Sequence, residues 1–199
     1  MTLIDVTALA GILRDAAKAE ILPRFRRLEP GTVKVKSNPT DLVTEADTEA
    51  EWAIKREVER RWPGTLVVGE ESVAADPALL GRLADAEVAI TVDPVDGTHE
   101  FSLPGREDWA VHIALWQRSV GAGGGLSDAV VALPARGEVY RSDTVTPPGP
   151  RRSGPLLITA SSNRPPAVLW RIREQLDFRM VRIGSAGAKA MAVVRGDVM

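Results

Sequence analysis

The apolar run Val88-Ala89-Ile90-Thr91-Val92 leads directly into Asp93-Pro94-Val95-Asp96-Gly97-Thr98. No other stretch constrains the fold so narrowly. The spacing predicts a buried strand over 87–93, then a tight turn, then a helix starting near Gly97-Thr98. Two carboxylates three residues apart at a strand end can hold a hard cation, and the free N–H groups of a helix start can hold a phosphate. Cation plus phosphate points to phosphoryl chemistry. A lookalike motif, D-x-D-G-T, uses its first aspartate as a nucleophile. Here the spacing is D-x-x-D-G-T, and the extra residue changes the direction of the second carboxylate. A covalent aspartyl-phosphate is therefore disfavoured, and a metal-activated water is favoured.

Composition removes several alternatives. The 199 residues contain no cysteine and two histidines, His99 and His112. Thiolate metal sites and cysteine nucleophiles are thus excluded, and a multi-histidine zinc site is disfavoured. The net charge is −2, so no basic field favours a nucleic-acid polymer or an anionic membrane surface. No apolar run approaches the ~20 residues of a membrane span. Met1-Thr2-Leu3-Ile4-Asp5 lacks a basic leader region, and the expected location is cytoplasmic.

Apolar spacing predicts helices over 7–22, ended or kinked by Pro23, and over 44–62, stopped by Pro63-Gly64. Residues 28–41 read as a loop, 65–69 as a buried strand and 76–85 as a short helix. Residues 109–116 form a strong strand candidate, and 128–133 with 137–142 a hairpin. The proline-rich stretch 143–155 suits a linker. Beyond it, strand 156–160, helix 165–176, strand 180–183 and helix 186–195 alternate as in βαβ units. Residues 1–145 are therefore expected to form a metal-binding α+β half with an antiparallel sheet. Residues 146–199 are expected to start a second α/β half.

Six acids stand where elements meet loops: Asp41, Asp47, Glu70, Glu71, Asp93 and Asp96. Brought together, such groups repel and raise one another's pKa, and a divalent cation removes that cost. Mg²⁺ prefers oxygen ligands, which Asp93, Asp96, the Val95 carbonyl and Glu70 can supply. Two metals about 3.5–4 Å apart suit in-line displacement at phosphorus. Taken singly, Glu70-Glu71 reads as a solvated loop, D-x-x-D-G-T as turn chemistry and Asp47 as a surface or capping residue. It is the combination that points to a metal site. His112, mid-strand among apolar residues, reads as a satisfied core histidine.

These residues resemble the inositol monophosphatase superfamily of Mg²⁺-dependent, lithium-sensitive phosphatases. The resemblance rests on Lys36 with Asp41-Leu42-Val43-Thr44-Glu45-Ala46-Asp47, on Gly69-Glu70-Glu71-Ser72, on Asp93 to Thr98 and on Gly184-Ser185. It implies a layered αβαβα sandwich, incomplete at its C-terminal end. It implies metal ligation by Glu70, Asp93, the Val95 carbonyl and Asp96, with Glu71 supporting a further, weaker ion through water. Two or three Mg²⁺ per site are implied. Asp47 and Thr98 would orient and deprotonate the attacking water, and the Gly97 and Thr98 N–H groups would bind phosphate. Arg106, Ser161 (or Ser162), Ser185 and Lys189 are candidate substrate contacts. A homodimer is implied by resemblance alone.

His99-Glu100-Phe101, where the inositol branch carries x-Asn-Phe, resembles the CysQ-type 3′(2′),5′-bisphosphate nucleotidases, as does much of the second half. Residues 20–80 are more similar to the inositol and histidinol phosphatases. The expected reaction is hydrolysis of the 3′-phosphate of adenosine 3′,5′-bisphosphate or its sulfated form. Inositol or histidinol phosphate hydrolysis is the alternative. The family's downstream Trp-Asp element has no counterpart, since Trp170 is the last tryptophan and Arg171 follows it. A fragment is therefore expected, or a natural short form. With one metal ligand missing it would be poorly active or a non-catalytic metal- or phosphate-binding remnant.

Overall fold

The computed structural model describes residues 4–27, 33–35, 42–146, 148–149, 154–162, 164–173 and 175–198. Helix α1 (Val6–Ala16) starts where the Asp5 side chain accepts from the Thr7 N–H at 2.9 Å, and buries Val6, Leu9, Ile12, Leu13 and Ala16. It continues as a π turn over Ala17–Ile21, closed by the Leu22 N–H on the Ala17 carbonyl. Pro23 has no N–H to carry the ladder onward. Part of the loop expected over 28–41 is instead a strand: β1 (Lys34–Val35) pairs antiparallel with β2 (Leu42–Val43). Lys36 and Asp41 lie outside the described residues.

Helix α2 (Glu45–Arg61) opens with a capping box between Thr44 and Asp47. Its buried stripe is Ala46, Asp47, Ala50, Glu51, Ile54 and Val58, so two acids sit among core residues. β3 (Leu66–Gly69) runs straight into helix α3 (Glu70–Ala75), and a 3₁₀ segment (Pro77–Ala84) leads to β4 (Val88–Asp96). Glu70 and Glu71 thus begin a helix rather than a loop.

β4 continues three residues past the expected end. It pairs parallel with β3 and antiparallel with β5 (Ala110–Gln117). β6 (Gly125–Leu133) and β7 (Glu138–Arg141) complete the order β3-β4-β5-β6-β7. The expected antiparallel sheet is therefore mixed. Asp93 faces His112 and Asp96 faces Ala110, so β4 holds one more residue than β5 between the two pairs. Pro94, which cannot donate to a ladder, falls inside this bulge. Gly97, at φ 89°, then turns the chain into the short helix α4 (Thr98–Ser102).

Helices α1 and α2 pack on one face of the sheet, over Val67, Ile90, Val92, Val111, Ile113, Leu115 and Val130. Phe25, Phe101 and Trp109 close that core, with ring centroids 5.1–5.6 Å apart. On the opposite face, helix α6 (Ala186–Val194) sets Ala188 and Met191 against Ala110 and Leu133. β8 (Leu156–Ala160) and β9 (Phe178–Arg182) pair in parallel, joined through helix α5 (Val168–Arg173), which is the expected βαβ unit. Pro165 and Pro166 delay α5 relative to its expected start. Among the described residues no helix is long and apolar enough to cross a membrane.

Phe101 is 1% exposed and ties α4 to the main core. Phe101→Ala is expected to lower the unfolding free energy by about 3–5 kcal/mol, the usual cost of a large core truncation, read by urea denaturation.

Candidate metal centre

Three chain segments deliver carboxylates to one end of the sheet: the first turn of α2, the bulged end of β4 and the start of α3. The capping box fixes Asp47, whose side chain is fully buried. Its Oδ2 accepts from the Thr44 N–H at 2.8 Å and the Thr44 hydroxyl at 2.5 Å. Its Oδ1 faces the Thr98 hydroxyl at 3.1 Å. That hydroxyl also lies 2.9 Å from the Val95 carbonyl, so its single proton serves one acceptor at a time. Burial pushes the Asp47 carboxyl above its ordinary value; the Thr44 and Thr98 hydrogen bonds oppose this, and the Glu70 charge adds to it.

The bulge turns Asp93 and Asp96 to the same side as His112. One oxygen of each carboxylate and one His112 ring nitrogen lie within 4.8 Å of one another. Asp93 Oδ1 is buried with no hydrogen-bond partner. Its carboxyl is pushed up to about 7, chiefly by burial, with the charges of Asp96, Glu70 and Asp47 adding to it and that of His112 opposing.

Asp96 is treated in the opposite way. Its Oδ2 lies 2.8 Å from His112 Nε2 and accepts from the Ser185 hydroxyl at 2.6 Å and the Gly187 N–H at 2.6 Å. Its Oδ1 accepts from the Ala186 N–H at 3.1 Å. Burial alone would raise this carboxyl, but His112, Ser185 and Gly187 hold it down to about 2. Burial likewise works against protonation of His112, yet the Asp96 contact raises its pKa overall.

The remaining candidates separate. Glu70 and Glu71 open α3, and Glu70 is close enough for its charge to bear on Asp47, Asp93 and His112. Gly97 leaves no room for a side chain, because a β-carbon would stand 2.9 Å from Ser185 Cβ. Ser185 is fully buried and uses its hydroxyl to hold Asp96 and to accept from the Ala188 N–H. Its only proton is thus committed to Asp96, so the hydroxyl acts here as a support for that carboxylate. Lys189 donates to the Ile183 and Gly184 carbonyls at 3.1 and 2.8 Å. Arg106 is engaged by Asp108 through two hydrogen bonds. Ser161 accepts from the Arg164 N–H. None of these hydrogen bonds brings Arg106, Ser161 or Lys189 to the carboxylate group.

Sequence reasoning missed the placement of His112 at the site and the burial of Glu100 near it. His112 read as a core histidine, yet Val111, Ile113 and Leu115 face the core while His112, Ala114 and Trp116 alternate with them. That period of two is the signal that places His112 on the other face. Glu100 is 3% exposed, accepts from the Ser162 hydroxyl at 2.6 Å and fills the space a β-carbon on Gly184 would occupy. It is a buried strut between the end of β8 and the loop before α6.

Residues 4–145 match the Inositol monophosphatase family. The 3′-phosphoadenosine 5′-phosphate phosphatase of Mycobacterium tuberculosis is 52% identical over 165 residues, covering 80% of this chain and 59% of that protein. The inositol-1-monophosphatase SuhB of Mycobacterium tuberculosis is 32% identical over 123 residues, covering 57% of this chain and 41% of that protein. This chain thus spans well under two thirds of either relative. In fold, the Thermotoga maritima IMPase superposes with a TM-score of 0.75 at 20% identity, over 97% of this chain and 73% of that one. A match over most of its length, with the acids of that match gathered at one sheet end, places the chain in the inositol monophosphatase family.

Proposed function

We propose that this chain carries the catalytic centre of a Mg²⁺-dependent phosphomonoesterase acting on the 3′-phosphate of adenosine 3′,5′-bisphosphate or its sulfated form. The observation that carries the reading is the buried Thr98–Asp47 contact standing beside the unpartnered Asp93 Oδ1. A buried carboxylate oxygen without a donor is costly, and a cation is the partner it lacks. An oxygen-rich set of Asp93, Asp96, Glu70 and the Val95 carbonyl suits Mg²⁺, and Glu71, next to Glu70, would support a further ion through water. Such ions supply charge neutralisation on the phosphoryl group and a more acidic water.

The chain's own residues account for the rest. The Thr98 hydroxyl, passing its proton to Asp47 Oδ1, can in turn accept one from an attacking water. Burial of Asp47 makes its carboxylate the better base for that relay. The new P–O bond forms from water as the bond to the ribose 3′-oxygen breaks; the leaving oxygen takes up a proton from solvent water, and Asp47 later returns its proton to solvent. The N–H groups of Gly97 and Thr98, at the left-handed turn into α4, would hold the phosphate. The nucleotide substrate is supported by 52% identity to a protein named for that substrate, against 32% to one named for inositol phosphate.

Phosphate release from adenosine 3′,5′-bisphosphate is expected to exceed that from inositol 1-phosphate. The reverse order overturns the substrate, and no release from either overturns the catalytic reading. Asp47→Asn is expected to lower kcat by about 10²–10⁴-fold, the range for losing a positioned base, with Mg²⁺ affinity retained by calorimetry.

The metal has a stability signature as well. Asp93 is pushed up from 3.8 to about 7, so the folded state holds this proton more tightly than the unfolded chain does. Its contribution is complete below pH ~4 and is lost as the pH rises through about 7. His112, also raised, acts in the same direction. Asp96, lowered to about 2, loses its contribution only below pH ~4. The metal-free protein is therefore expected to lose Tm between about pH 5 and pH 8. Mg²⁺ should raise Tm more at the higher pH, as measured by thermal unfolding with EDTA or MgCl₂.

A further inference from the structure

Helix α2 carries a second buried carboxylate that the chemistry above does not use. Glu51 follows Asp47 by four residues, so the two share one face of the helix. It is 4% exposed. Its Oε2 accepts from the Glu71 N–H at 2.7 Å, and its Oε1 accepts from the Ser72 N–H at 2.9 Å and from the Ser72 hydroxyl. A β-carbon on Gly69 would overlap the carboxylate. The glycine therefore makes the space, and Glu51 fills it.

The donors it meets are the second and third N–H groups of α3, those a capping side chain normally satisfies. Gly69, at the cap position of α3, has no side chain to do so. Six residues are too few to hold a helix by local bonding alone. The first turn of α3, which carries Glu70 and Glu71, is thus held from α2, the helix that also carries Asp47.

We propose that Glu51 is a positioning residue for the metal centre: by capping α3 from across the core, it fixes where Glu70 and Glu71 point relative to Asp47. The proposal rests on the metal-binding reading above. Glu51 touches neither cation nor phosphate in this arrangement. It acts on affinity through α3, as hydrogen-bonded supports of metal ligands commonly do.

The test is Mg²⁺ titration calorimetry on the whole chain, unsubstituted and as Glu51→Gln. Val58→Ala, a core cavity in the same helix, is the control for lost stability. Glu51→Gln keeps the volume but replaces one acceptor oxygen with a donor facing the α3 amides. It is expected to weaken Mg²⁺ binding about tenfold or more, well below its Tm. Hydrogen exchange at Glu71 and Ser72 should speed up. Val58→Ala should lower Tm with Mg²⁺ affinity unchanged. Gly69→Ala, which displaces the Glu51 carboxylate without removing it, should weaken Mg²⁺ binding in the same way. If Glu51→Gln binds Mg²⁺ as the unsubstituted chain does, or if Val58→Ala weakens binding equally, the role of Glu51 is overturned and the metal site stands. If the unsubstituted chain binds no Mg²⁺, both readings are overturned.

Discussion

The carboxylate of Asp96 is the joint on which the two faces of the sheet meet. One side chain takes donors from β5, through His112, and from the start of α6, through Ser185, Ala186 and Gly187. Negative charge at a helix start is favourable because the first N–H groups have no partner within the helix. Here the charge comes from the sheet, so α6 is fixed in both position and direction. The close approach has a steric condition. A β-carbon on Gly187 would stand 2.8 Å from His112 Nε2, and one on Gly97 would meet Ser185. The small residues are thus set by the carboxylate they surround.

The same joint divides labour between two neighbouring acids. Asp96 has most of its acceptor capacity filled and is held ionised. Asp93, three residues earlier, keeps one buried oxygen without a donor and is held towards its neutral form. The bulge at Pro94 makes this contrast, because without the extra residue the two side chains would not both turn toward His112. A cation beside Asp93 would remove the repulsion among Asp93, Asp96, Glu70 and Asp47 that the fold otherwise carries. The strain of the site is electrostatic, and it is concentrated on the residue least supported by hydrogen bonds.

Much of this was legible in the sequence, and for identifiable reasons. Thr44 three residues before Asp47 is a capping box, which set the start of α2 and the depth of Asp47 together. The D-x-x-D-G-T spacing located the strand end and the turn at Gly97. What escaped was set by partners remote in sequence. The parallel pairing of β3 with β4 depends on the crossover through α3, which hid inside a Glu-Glu pair that reads as loop. Nothing local distinguishes Glu51 from the other charges of its helix; its burial depends on Gly69, eighteen positions away. Ser185 looked available because nothing local shows that Asp96 takes its hydroxyl. Alternation along 109–116 did contain the placement of His112, masked by the apolar residues on both sides.

Glu100 and Gly184 form a lock between distant parts of the chain: the carboxylate occupies the volume that any side chain at 184 would need, and Ser162 holds it there. In evolutionary terms the two positions are not free to drift separately. A side chain at 184 has to push the carboxylate of Glu100 out of this space and away from Ser162, so the two positions share one volume. The pair thus ties the helix that follows the metal-binding turn to the segment before α6 by shape as well as by hydrogen bonding.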